Sequence, residues 1–216
     1  MKTSQATLLC AVLTGAVVAY ALWLYPKLPE HVPVHWNIHG EVDGWGEKTW
    51  ALFLMPVMMA LLTAALYVLP WLSPRGFKVD EFREAFNCMM VLVVALLGYV
   101  GATMVYAACH PSGNVGRGLI GGMFLFFAGI GSLLPRLHKN FWMGIRTPWT
   151  LASDTVWKAT HRFAAKTFIG AGLLGAAGTA LGAPVAWCFV LLIVAVLLPV
   201  PYSLVLYKLL ERRGED

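Results

Sequence analysis

Charge is scarce in this sequence, and that scarcity excludes an ordinary soluble domain. Only 12% of the 216 residues are Asp, Glu, Lys or Arg, while 59% are hydrophobic; an average soluble domain is about 25% charged. So much apolar surface needs an apolar solvent, which is the bilayer. Cysteine is sparse too. Cys10, Cys88, Cys109 and Cys188 each lie inside an apolar stretch, and no CxxC pair occurs. That spacing argues against a disulfide framework, and the four read as small apolar helix residues. There is no Gly-rich phosphate loop and no aromatic–basic platform for nucleic acid. The formal net charge of +5 therefore points to topology and anionic lipid, with no direct nucleic-acid partner. No good small-x-small cleavage site precedes Tyr25-Pro26-Lys27, so the first apolar run reads as a retained helix, not a signal peptide.

What is present is a series of six long apolar runs. A hydrocarbon core of about 30 Å takes roughly 20 apolar residues in a helix. The runs are Ser4 to Tyr25, Thr49 to Leu72, Ala85 to Cys109, Gly118 to Leu134, Phe163 to Leu181 and Pro184 to Tyr207. They predict an all-α integral membrane protein forming a single six-helix domain over 1–216. Within it, 1–72 holds the first two helices and an outer-loop motif at 26–48, and 135–162 is a cytoplasmic loop. Gly182-Ala183-Pro184 predicts a tight antiparallel turn between spans five and six. Pro56, Pro70, Pro199 and Pro201 predict kinks or breaks. No Asp, Glu, Lys or Arg falls in the middle of a span, which argues against an ion-coupled transporter.

The basic residues set the orientation. Odd-numbered loops hold Lys27, Lys48 and Arg117. The N-terminus, even-numbered loops and C-terminus hold the other thirteen: Lys2, Arg75, Lys78, Arg83, Arg136, Lys139, Arg146, Lys158, Arg162, Lys166, Lys208, Arg212 and Arg213. The positive-inside rule then places both termini in the cytoplasm. Small residues mark helix contacts. Gly178 and Gly182 form a GxxxG, Gly172, Ala176 and Ala180 a small-xxx-small ridge, and span four carries Gly118, Gly122 and Gly129. Such residues allow close approach in lipid, either within one chain or across a homodimer face.

Two loops carry polar chemistry. In the outer loop, Val34, Trp36 and Ile38 alternate with His35, Asn37 and His39, the period of an extended strand. Three readings stand. His35, His39, Glu41 and Asp43 could gather a zinc ion; His35, Asn37, Asp43 and Lys48 could bond one another as a plug; or the loop could present a surface to an extracellular ligand. In the inner loop, Thr147-Pro148 predicts the cap and first residue of a short interfacial helix. Ser153-Asp154 predicts the cap of a second helix running into span five. On it Ser153, Trp157 and His161 share a face, Asp154 pairs with Lys158, and Lys158, Arg162 and Lys166 form a basic stripe. Trp142, Trp149 and Trp157 read as interfacial anchors, with Asn140, Gly144, Arg146, Thr147 and His161 as a polar cluster or docking site. His161 could serve as a general base, yet no nucleophile or paired carboxylate accompanies it, so no catalytic constellation and no cofactor are expected.

These residues also resemble a known family. Pro33-Val34-His35-Trp36-Asn37 with Gly40, Asp43, Gly44 and Lys48 resembles the extracytoplasmic-loop domain of unknown function at the front of SdpI-type proteins. Asn140-Phe141-Trp142-Met143-Gly144-Ile145-Arg146-Thr147-Pro148-Trp149-Thr150-Leu151, followed by Ser153, Trp157, Thr160, His161 and Arg162, looks like the signature of the SdpI/YfhL family itself. The resemblance implies a bacterial inner-membrane protein of the toxin-immunity type. Its founding member protects the producing cell from a secreted peptide toxin and sequesters a cytoplasmic repressor. The alternatives are a metal-dependent membrane enzyme or lipid-handling protein, and a small-molecule transporter.

Overall fold

The computed structural model describes residues 1–37, 41–110 and 115–214. Its helices are α1 (Thr3–Leu24), α2 (Lys48–Leu72), α3 (Arg83–Cys109), α4 (Val115–Leu133), α5 (Pro148–Ala152), α6 (Asp154–Ala180), α7 (Val185–Leu197) and α8 (Pro199–Arg213). Six segments are long and apolar enough to cross a membrane, with α7 and α8 together making the last. All six sequence-predicted spans are recovered. The predicted break at Pro199 is where α7 ends and α8 begins, and Pro56 and Pro70 both lie inside α2.

The expectation of an all-α chain needs one correction. Outside the spans, β1 (His31–Trp36) and β2 (Val42–Glu47) form an antiparallel hairpin. The strand alternation foreseen for Val34 to Trp36 is the reason: His35 is exposed while Val34 and Trp36 are partly buried against the ends of α1, α2 and α3. Val32, fully buried, completes this apolar face beside Ala21, Leu52 and Met104. Ile38, His39 and Gly40 lie outside the described residues.

The small residues of α4 and α6 are used inside the chain. A Cβ on Gly172 would stand 2.6 Å from the Phe124 carbonyl oxygen and 2.7 Å from the Ala128 nitrogen, and one on Gly175 would stand 2.3 Å from the Phe124 ring. Only glycine permits that backbone approach, which in lipid replaces the hydrophobic effect as a source of helix association. Gly178 instead faces α7, where the nearest atom to its Cβ would be Cys188 Sγ at 3.1 Å. Gly182 adopts φ +84° in the turn that reverses the chain into α7.

The loops sort to two ends. The hairpin and the α6–α7 turn lie at one. At the other, Met1 approaches Glu84 at 3.5 Å and its carbonyl accepts from Asn87 Nδ2 at 3.1 Å, and α8 packs on α5 and α6 beneath the inner loop.

Candidate functional sites at the two ends of the bundle

The hairpin end is held by surface pairs. His35 Nδ1 and Asp43 Oδ1 are 2.5 Å apart, with side chains 70% and 44% exposed. Asn37 Nδ2 donates to Glu41 Oε2 at 3.0 Å, and Glu41 N–H donates back to Asn37 Oδ1 at 3.0 Å. Lys48 Nζ donates to Glu30 Oε1 at 2.8 Å and sits 4.9 Å from the Tyr25 ring centroid, while Lys48 N–H donates to the Glu30 carbonyl. The expected single network of His35, Asn37, Asp43 and Lys48 is therefore three separate pairs. His35 and Asp43 are partners within the motif, Asn37 takes Glu41, which the metal reading had included, and Lys48 takes Glu30, which no motif singled out. The apolar underside of the hairpin packs on the bundle; the Lys48 side chain is only 14% exposed, while His35 and Asp43 stay on the outer surface.

Helix α2 starts where it does because Glu47 caps it. The carboxylate accepts from the N–H groups of Thr49 (3.0 Å) and Trp50 (3.3 Å). Hydrogen bonding from Thr49, first among several causes, holds the Glu47 carboxyl below the usual carboxylate range. Trp45, 57% exposed, shares the outer strand face with Asp43. Among the described residues no three of His, Cys, Asp or Glu come together as a metal site requires.

At the opposite end the signature residues turn inward. Asn140 is fully buried. Its Oδ1 accepts from the N–H groups of Trp142 (2.8 Å) and Met143 (2.9 Å), and its Nδ2 donates to the His138 carbonyl (2.8 Å). Gly144 takes φ +102°, a region that strongly favours glycine, and a Cβ there would stand 2.5 Å from His161 Nε2. Ile145 N–H donates to His161 Nε2 at 3.0 Å. Because that nitrogen accepts, the ring proton sits on Nδ1 and donates to the Trp157 carbonyl at 2.8 Å. Both nitrogens are thus satisfied in the neutral imidazole, and His161 is fully buried. A general-base role for His161 would require the Ile145 N–H bond to open and the ring to be uncovered.

Trp157 stacks on His161 with ring centroids 4.1 Å apart, and its Nε1–H donates to the Leu137 carbonyl at 2.8 Å. At 1% exposure it is a core residue, which corrects its reading as an interfacial anchor. Trp142 and Trp149 are partly buried, and Trp142 Nε1–H donates to Ser73 Oγ at 2.6 Å, tying the loop to the end of α2. The caps form as expected. Thr147 Oγ1 accepts from Thr150 N–H, with Pro148 at the first position of α5, and Ser153 Oγ accepts from Val156 N–H at the start of α6. Thr147 also meets Ser203 of α8, hydroxyl to hydroxyl, at 3.2 Å. Asp154 pairs with Lys139 at 2.8 Å, not with Lys158, because the loop folds back over the helix start. Arg146 is exposed and donates to the Phe141 carbonyl. Lys158, Arg162 and Lys166 are exposed, as a stripe should be. The partners Ser73, Ser203 and Lys139 carry no motif signal of their own, except that Ser203 is the lone serine of the last apolar span.

A six-span bundle with a hairpin over one end and an interlocked loop at the other defines a multi-pass membrane protein whose polar structure is confined to its two faces. Two family models match in order: a domain of unknown function (DUF1648) over residues 12–60 and the SdpI/YfhL protein family over residues 136–203. The chain is also similar to the immunity protein SdpI of Bacillus subtilis (strain 168), with 29% identity over 151 residues, or 70% of each chain. No solved structure matches. These matches support the SdpI/YfhL family for this chain, a multi-pass protein of the bacterial inner membrane.

Proposed function

We propose that this protein is a membrane immunity protein that binds or neutralises a secreted antimicrobial peptide at its hairpin face. The observation that carries this reading is the alignment with a protein named for immunity over 70% of both chains. The geometry supports it by contrast. His35, Asp43 and Trp45 are solvent-facing on a hairpin fixed to the bundle, a rigid polar and aromatic surface of the kind that anchors a partner. With thirteen of the sixteen Lys and Arg residues at the opposite end, the hairpin faces outward and both termini lie in the cytoplasm. The exposed stripe of Lys158, Arg162 and Lys166 is then the surface offered to a cytoplasmic repressor.

The test is survival. Sensitive cells expressing the chain are exposed to graded culture supernatant of the strain that carries its gene. The wild-type chain should move the killing curve to higher dose, and Asp43→Ala should return it to the control while the protein stays at normal abundance in the membrane. An unchanged curve for the wild type would remove the immunity reading. Unchanged protection in the variant would remove the hairpin as its site. A C-terminal alkaline phosphatase fusion should be inactive, and an active one would reverse the orientation.

A further inference from the structure

A cavity of about 760 Å³ opens between α3, α4 and α6, within the range of ligand-binding pockets, roughly 300–1,000 Å³. Leu92, Leu96, Leu125 and Phe126 line its depth, and Tyr99, Arg117 and Gly118 its mouth. Leu125 and Tyr99 are exposed, so the cavity opens sideways, toward the space a bilayer fills. Its mouth is at the hairpin end, since Arg117 Nη1 donates to the carbonyl of Ala183 in the α6–α7 turn at 3.2 Å. Nine helical steps separate Arg117 from Phe126, a rise of about 14 Å, which is the depth of one leaflet of a core about 30 Å thick.

Arg117 is unusual in this chain. The other basic residues of the hairpin end are Lys27, in the 3-10 turn that follows α1 with its ammonium 5.1 Å from the Trp23 ring centroid, and Lys48, paired with Glu30. Among the described residues Arg117 has no carboxylate partner, and the Ala183 carbonyl uses one of the five N–H donors of its guanidinium. A partly buried, unneutralised cation over an apolar slot one leaflet deep matches an anionic phospholipid. The planar fork takes the phosphate, and an acyl chain runs down beside Leu96 and Leu125. Tyr99 is already committed, donating to the Gly118 carbonyl at 2.6 Å, so it shapes the mouth and leaves the headgroup to Arg117.

We propose that this groove seats one anionic phospholipid of the hairpin-side leaflet, with its phosphate on Arg117 and an acyl chain between α3 and α4. The proposal is independent of immunity. It is tested by native mass spectrometry of the purified full chain, titrated with phosphatidylglycerol or phosphatidylcholine. The wild type should retain phosphatidylglycerol in preference to phosphatidylcholine. Arg117→Gln should weaken phosphatidylglycerol about tenfold or more, as loss of a charge-assisted hydrogen bond predicts, and Arg117→Lys should recover part of the loss. Gly118→Leu, where a Cβ would meet only the Tyr99 hydroxyl at 3.8 Å, should block the groove to both lipids without disturbing the helices. Soluble glycerol phosphate should not compete. Equal binding of the two lipids, an unaffected Arg117→Gln, full binding to Gly118→Leu, or displacement by glycerol phosphate would each overturn the proposal. So would a dimer that carries no lipid, which would place a second copy in the groove.

Discussion

The two motif-bearing ends carry similar residue types and use them in opposite ways. At the hairpin end the polar groups face water and pair at the surface: the side chains of His35 and Asp43 are 70% and 44% exposed. At the opposite end, where the inner loop closes as a clasp over the start of α6, Asn140, Thr147, Thr150 and His161 are buried, and each bonds backbone or a neighbouring helix. An exposed ion pair contributes about 0–1 kcal/mol, whereas a buried group stripped of its partner costs about 1–3 kcal/mol. Substitution should therefore separate the ends cleanly: changes at the clasp act on folding, and changes on the hairpin act on what the hairpin touches.

The sharpest way to break this contrast is Gly144→Ala. The new Cβ meets His161 Nε2 at 2.5 Å on a backbone at φ +102°, so we expect a loss of about 3–5 kcal/mol and low abundance in the membrane. Near-normal denaturation in mild detergent would show that the clasp yields. His161→Ala comes next. It empties a buried site and orphans the Ile145 N–H, for about 3 kcal/mol, read in the same assay. Ser203→Ala removes one hydroxyl contact to Thr147 and should cost about 1 kcal/mol. Asp43→Ala should change stability by about 0.5 kcal/mol or less while abolishing protection. A stability loss as large as that of His161→Ala would erase the distinction between the ends.

The smallest effect is one of pH. The Glu47 carboxyl is held below its ordinary range by its capping bonds. A depressed folded-state value stabilises above the unfolded value, about 4.3, and that contribution is lost as pH falls through the folded one. Glu47→Gln should lower stability slightly at neutral pH, where the wild type carries the full contribution, and meet the wild-type curve at acid pH, so that the acid limb flattens, as a thermal melt series would show.

The sequence reveals whatever is local. Spans declare themselves by length and apolarity, and Thr147-Pro148 and Ser153 declare their helix starts because a cap bonds the backbone two or three residues on. The strand-like alternation at Val34 to Trp36 was equally legible, although its pairing with β2 was not. Long-range partners leave no such mark. Lys158 stands at the right spacing for Asp154, yet Lys139 takes it because the intervening loop folds back. Trp157 has the composition of an interfacial anchor and is buried, because the loop places Leu137 and Gly144 over it. The groove at Arg117 needs three helices to meet before it exists.

One consequence follows from where the charges are not. Five spans carry Asp, Glu, Lys or Arg only near their ends, and α6 carries them from Asp154 to Lys166; neighbouring spans run in opposite directions, so their dipoles largely offset one another. Moving one elementary charge across the membrane couples to voltage by about 2.3 kcal/mol per 100 mV. With its charge gathered toward the faces and along the first half of α6, the bundle should move little charge across the membrane when its helices shift, and its conformation should stay nearly the same whether the membrane is energised or has lost its potential.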